Sequence, residues 1–316
     1  RCAFHPRLAR CSRPMTPVVF LPIASALLWA VSSPVINIGL RRIANKASIS
    51  VVLVVLLVAQ FAGILVLSSI VVVRTDLSVS PNAWLVLSGI FTYPLATGFY
   101  YASALSFGSM SEVSSQFAKV KPILSTGFGL LLFEESVSGA TLISAAMIAI
   151  GISLFVWAAL NRRLEWRGVI YGLCTALFWS IGEVLMTLGA VRGGGIGANL
   201  VALCSGGLCT FSFLACRGAL GYRPPRLALG QTWPFLFHGV VSFALAYCLF
   251  FESLAAIGLT RTVIVNAFWP MLALIFASLF ARAGGRSRTA PPVIWLAGLI
   301  ICLGSLAEII ELSALW

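Results

Sequence analysis

The sequence predicts an all-α membrane protein of ten transmembrane helices, arranged as two inverted five-helix repeats around a central cavity. Three observations carry this expectation: an apolar composition, ten runs of spanning length, and a motif in the first run that returns in the sixth. Hydrophobic residues make up 60% of the chain, charged residues 9%, and mean hydropathy is +1.02. That leaves too little polar surface to cover a globule in water.

Residues 1–17 read as an N-terminal tail. The arginine-rich stretch 1–14 differs in composition from everything after Met15, and the apolar run from Val18 is too long, and too poor in cleavage signals, for a signal peptide. Apolar runs then follow at 18–40, 48–73, 83–107, 110–133, 137–160, 168–191, 197–220, 231–257, 260–281 and 291–314. Each has roughly the 20 residues needed to cross hydrocarbon. Backbone groups in lipid must bond within their own segment, and these runs far exceed the roughly ten-residue strands of a membrane barrel, so they are helices. The short loops leave no room for a soluble catalytic domain.

The net charge of +12 is spread over loops, which argues against a nucleic-acid face. Loops after spans 1, 5, 7 and 9 carry 12 Lys and Arg, against 3 after spans 2, 6 and 8, or 7 with the tail counted. The positive-inside rule then puts both termini outside the cytoplasm of a plasma (inner) membrane. The eight cysteines lack paired Cys-x-x-Cys spacing, lie mostly within spans and read as small buried hydrophobes, with no metal or cofactor implied.

Ala24-Ser25-Ala26-Leu27-Leu28-Trp29 aligns with Cys174-Thr175-Ala176-Leu177-Phe178-Trp179, and the match runs without a gap to Arg42 over Arg192. A second anchor is Ala104-Leu105 followed by Lys121-Pro122, echoed by Ser253-Leu254 and Trp269-Pro270. The halves are 18–160 and 161–316. Five spans in each make the second half enter the membrane from the opposite side, and such inverted repeats place a substrate site near the midplane.

The Ala-Leu-Leu-Trp and Ala-Leu-Phe-Trp openings, Ala104-Leu105, the mid-helix prolines and Leu132-Phe133-Glu134-Glu135 together resemble the drug/metabolite transporter superfamily, in its ten-helix EamA-like branch. The resemblance implies ten helices in two inverted repeats around a cavity, and secondary transport of small metabolites. Two features depart from the pattern. Glu134 stands where the family usually has glycine, and the second half has Ala281-Arg282 with no acid. The charge count also opposes the cytoplasmic termini common in the family.

Helical spacing builds a polar stripe: Ser25, Trp29, Ser33 and Asn37 in span 1 match Thr175, Trp179, Glu183 and Thr187 in span 6. Small hydroxylated residues in such stripes also serve helix packing. Glu183 is the residue packing explains least, since Ser33 serves at the matching position. A carboxylate within a span marks a site for an ion, proton or substrate, and Trp179 one turn away adds an indole face for an ammonium. The Gly182-Glu183-Val184 stretch with Thr187 also looks like the first helix of small multidrug resistance transporters, which implies a glutamate shared by protons and cationic drugs. Desolvation favours the neutral form of a carboxylic acid, the condition for exchanging protons against substrate.

In span 4, Glu112, Gln116 and Lys119 share a face, so Lys119 is expected in the cavity, paired with Glu183 or binding a substrate carboxylate, while Lys121 is expected to snorkel. Pro122 is expected to break span 4 and free a carbonyl, as Asn266, Trp269 and Pro270 do in span 9. Tyr93, Tyr100 and His238 fall in spans that the resemblance places around the cavity, with His238 a second proton-coupling candidate. Glu252 and Arg261 read as an end-of-helix pair.

These residues point to a secondary transporter of a small nitrogenous metabolite, an amino acid or similar zwitterion, with export and proton coupling expected. The alternatives are an exporter of hydrophobic organic cations and a transporter of choline-like amines. Two histidines, one of them in the tail, and no paired aspartates leave no constellation for an intramembrane enzyme.

Overall fold

The computed structural model describes residues 16–46, 48–74, 80–106, 117–135, 137–160, 166–190, 195–223, 227–283 and 291–314. The tail stretch 1–14, Glu112, Gln116 and Arg192 lie outside the described residues. Among those described, the chain is helical throughout and passes back and forth as α1 (Thr16–Ile43), α2 (Ile49–Val73), α3 (83–106), α4 (Lys121–Leu132) and α5 (Gly139–Leu160). It continues as α6 (Trp166–Ala190), α7 (Gly195–Ala219), α8 (Leu229–Ile257), α9 (259–283) and α10 (Pro292–Ala314). All but α3 and α4 are long and apolar enough to cross a membrane by length and composition alone. The chain is a multi-pass membrane protein.

Caps show why helices begin where they do. The Ser48 hydroxyl accepts from Val51 N at 3.2 Å to start α2, and Asn82 Oδ1 accepts from Leu85 N at 3.0 Å to start α3. Each satisfies one of the donors left orphaned in a first helical turn.

Two helices widen in mid-course, which the sequence did not announce. α3 is π-helical over Phe91–Thr97, around Pro94, and α8 over Gly239–Ala246. A π-turn disturbs the regular ladder and leaves carbonyls to be bonded otherwise. Thr97 donates its hydroxyl to Thr92 O at 3.0 Å. In α8 the partner comes from another helix: Asn199 on α7 donates to Phe243 O at 2.8 Å and Ala244 O at 3.1 Å, while its own Oδ1 accepts from Tyr93 of α3 at 2.5 Å. One asparagine thus ties both widened segments together.

Packing divides into two apolar clusters. The larger gathers residues of α1, α2, α3, α6, α7 and α8 around Tyr93, Tyr101, Phe243 and Phe250. The smaller joins α5, α9 and α10 through Ile148, Phe155, Ile264 and Ile301. α5 and α10 approach closely because glycines lie in their seam: a Cβ on Gly151 would fall 2.7 Å from Ala297 O, and one on Gly304 2.8 Å from Ser144 O. Small residues at such seams are how helices pack without a hydrophobic drive between them.

Alternating passes sort helix ends onto two faces. On the face holding the start of α1 and the end of α10, carboxylates do the knitting. Glu135 accepts from Leu259 N at 2.7 Å and Thr260 N at 2.8 Å, and Glu252 accepts from Gly195 N at 2.5 Å. On the opposite face the work falls to arginines, with Arg42 donating to Gly230 O at 2.7 Å and Arg217 to Ser50 at 3.1 Å. The expected Glu252–Arg261 pair is not what forms, because Glu252 caps α7 and Arg261 turns to Glu308, 3.7 Å away. The cysteines also depart from a uniformly buried reading: Cys248 is buried, whereas Cys204 and Cys216 are exposed on the helix surface.

Candidate functional site

α4 and α9 share one backbone device. A short helical stretch at 117–118 gives way to a turn at 119–120 before α4 starts at Lys121-Pro122, and α9 is interrupted by a turn at 267–268 before helix resumes at Trp269-Pro270. The prolines therefore sit in the first turn of a new helix, where a missing N–H costs no ladder bond. Pro122 stands in the first turn of α4 rather than in mid-helix, and Val120 O accepts from Ile123 N at 3.1 Å as that turn begins. What the breaks do is aim Lys121 and Trp269 into a cavity at the centre of the bundle.

That cavity and its mouth together hold about 590 Å³ of space free of protein atoms, open solvent included. Its walls are aromatic, from Trp29, Tyr100, Trp179, Phe243, Tyr247 and Trp269. Trp29 packs on Tyr247 with ring centres 5.0 Å apart, and Tyr100 leans on Trp179 at 5.7 Å. Polar groups reach it from Ser33, Thr97, Lys121, His238 and Ser242. The Ser242 hydroxyl and the Trp179 indole N–H are buried without protein partners, so both are free for a guest.

Lys121 supplies the charge. Its ammonium stands 2.5 Å from Glu183 Oε1, and the Ser125 hydroxyl donates to Glu183 Oε2 at 2.5 Å. Trp29 and Phe250 present ring faces 5.2 and 5.4 Å from the ammonium. An ion pair this deeply buried persists only when the remaining lone pairs and protons are also served, and here a hydroxyl and two aromatic faces serve them. Lys121 lines the cavity, and Glu183 lies behind it.

Lys119, expected to meet Glu183, does not reach it. Its ammonium lies 4.1 Å above the Phe155 ring of α5. The turn at 119–120 breaks the helical register on which that expectation rested, so the two lysines exchange roles. The aromatic partner of the ion pair is likewise Trp29, the counterpart of Trp179 in the matching stripe.

The other expected residues divide by placement. Trp29, Ser33, Tyr100, Trp179, His238 and Trp269 line the cavity. His238 Nδ1 lies 2.7 Å from the Ser32 hydroxyl. Tyr93 and Asn266 are buried in the frame, the latter donating to Pro22 O of α1 at 3.0 Å. Thr187 spends its hydroxyl on Glu183 O of its own helix at 2.9 Å. Asn37 is buried with its side-chain carbonyl unpartnered, outside the cavity wall. Ser125 was not foreseen; a hydroxyl three residues past Pro122 was the available signal for it.

Among the described residues, an aromatic cavity within the helical bundle carries the Lys121–Glu183 ion pair at its wall. Residues 166–308 match the EamA-like transporter family, whose members are membrane transporters of the drug/metabolite type. A solved crystal structure covers 95% of this chain and 98% of its own at 16% identity, with a TM-score of 0.67. That likeness shows a shared fold extending over the first half as well. No curated protein matches the sequence.

Proposed function

We propose that the protein is a secondary transporter that exports an amino acid or similar zwitterion by alternating access, with protons as the coupling ion. The observation that carries this reading is Lys121, a cavity-wall ammonium whose only assigned anionic partner, Glu183, is withdrawn behind it. A substrate carboxylate can take the ammonium from the cavity side. Glu183 is then released to hold the substrate ammonium or a proton, with the Trp29 and Phe250 faces already in place for a cation. Trp179, Tyr100 and Trp269 enclose the side chain, Ser33 and Ser242 offer hydroxyls, and His238 is the second group able to relay a proton. Asn37, Tyr93, Thr187 and Asn266 hold the frame. The two similarly broken helices support a repeat of 18–160 and 161–316 about the cavity, and the arginine-rich face supports placing the termini outside the cytoplasm.

Reconstituted vesicles test this directly. Labelled amino acids should accumulate under a pH gradient, and simple amines should not. Lys121→Ala should lose amino-acid uptake while Lys119→Ala keeps its selectivity. Uptake of hydrophobic cations without amino acids would replace this reading with organic-cation export.

A further inference from the structure

Among the described residues of the cavity wall, two polar groups have no partner within the protein: the Ser242 hydroxyl on α8 and the Trp179 indole N–H on α6. Other polar groups of the wall are engaged. Lys121 holds Glu183, Thr97 gives its hydroxyl to Thr92 O, and His238 Nδ1 meets the Ser32 hydroxyl at 2.7 Å.

Ser242 is free despite an obvious alternative. Serines on regular helices of this chain bond the carbonyl four residues back, as Ser69 does to Leu65, Ser153 to Ala149 and Ser278 to Leu274. Thr97, in the widened part of α3, takes the carbonyl five back. Ser242 lies in the widened part of α8 and takes neither, although it is only 1% exposed. A buried hydroxyl that forgoes its own backbone keeps its proton and lone pairs for whatever fills the cavity. Trp179 is set in place by Tyr100, which packs against its indole with ring centres 5.7 Å apart. An indole N–H only donates, so the group that meets it must accept.

The chemistry of that group follows by elimination. A hydrocarbon would cover both atoms and satisfy neither, and each buried polar group so stranded weakens binding about tenfold or more. An ammonium or guanidinium also fails, because it carries only donors and would set them against the indole N–H. A second carboxylate would find no cation: Lys121 is the one Lys or Arg among the described residues of the wall, and the substrate's main-chain carboxylate takes it. What remains is a neutral oxygen that accepts.

We infer that Trp179 Nε1 and the Ser242 hydroxyl form the side-chain end of the substrate site and select amino acids whose neutral side chain carries an oxygen, a carboxamide or a hydroxyl. This rests on the zwitterion reading and sharpens it. Lys121 holds the main-chain carboxylate, and the two unpartnered groups read the side chain.

Thermal unfolding of the purified full chain, titrated with the near-isosteric pairs asparagine and leucine, threonine and valine, tyrosine and phenylalanine, tests it. In each pair that binds, the oxygen-bearing member should bind about tenfold or more tighter. Ser242→Ala and Trp179→Phe should each shrink that preference about tenfold, by weakening the oxygen-bearing member and sparing its apolar partner. Trp179→Phe keeps a ring against Tyr100, and should it fail to fold, Ser242→Ala decides. Equal affinities within the pairs, or a preference that survives both substitutions, would overturn the inference while leaving amino-acid binding in place. Binding of no member of any pair would overturn the zwitterion reading itself and this inference with it, so the two failures are told apart.

Discussion

The break in α4 and the break in α9 are one backbone device carrying two chemistries. Both consist of a turn followed by a residue and a proline that restart the helix, and both aim the residue before proline into the cavity. In α4 that residue is Lys121, in α9 Trp269. The stripes opposite them differ in step: Glu183 on α6 receives the lysine, whereas its counterpart Ser33 on α1 lines the cavity uncharged. The contrast teaches that, among the described residues, two like backbone breaks carry unlike chemistry, a charge at one and an indole at the other. A charged pair at one side of the cavity wall would give a charged guest a preferred orientation in it.

The largest effect should come from breaking the charged member. Lys121→Ala leaves Glu183 buried without its partner, a change that costs about 3–5 kcal/mol in comparable settings. Thermal unfolding should register the loss, and transport should vanish. The double variant Lys121→Met, Glu183→Gln separates the two consequences. Removing both charges should restore most of the stability, since replacing a buried pair together is often near neutral, while transport stays absent. Recovery of amino-acid transport in that variant would detach the pair from the substrate.

Next in size is the tie between the two widened helices. Asn199→Ala strands the Tyr93 hydroxyl and two α8 carbonyls, and each buried group left unsatisfied costs about 1–3 kcal/mol. The unfolding midpoint should fall while the preference among substrates is kept. Altered selectivity would mean that Asn199 acts on the cavity as well as on the frame.

The uncharged break should respond more mildly. Asn266→Ala removes one bond, to Pro22 O, worth about 1 kcal/mol, and should lower the midpoint by about 2–4 °C. Trp269→Leu should weaken substrate binding by about tenfold at most, the scale of one aromatic contact, measured by substrate-induced thermal shift. A complete loss of transport from Trp269→Leu with intact folding would mean that the two breaks are not so unequal after all.

What was legible in the sequence was whatever repeats along one helix. Span boundaries, the order of ten passes and the Trp29/Trp179 stripe all follow from composition and a spacing of four, which a continuous helix preserves. The identity of the lysine at Glu183 was not legible, because the expected i to i+7 face of Glu112, Gln116 and Lys119 assumes an unbroken span. The turn at 119–120 interrupts it. A proline at 122 signals a break without saying which side of it keeps the old register. The π-segments were invisible for another reason: what sustains the one in α8 is Asn199, forty or more residues away on α7. Nothing local marks it.

The smallest effect concerns a departure that the sequence did expose. Glu134 occupies the place where the family pattern has glycine, and its φ of 49° lies in the left-handed region that suits glycine and strains a side chain. Its neighbour Glu135 has the opposite standing, with both oxygens capping α9. The turn that carries Glu134 is what delivers Glu135 to those amides, so the strain at one acid is held by the bonds of the next. Glu134→Gly should relieve it and raise stability by up to about 1 kcal/mol, or about 2–4 °C in the unfolding midpoint. Glu135→Gln should lower the midpoint, because a neutral amide is a weaker cap than a carboxylate. If Glu134→Gly lowers stability instead, the Glu134 side chain contributes a contact that outweighs the relief of strain, and the acid in the glycine place is there for its chemistry.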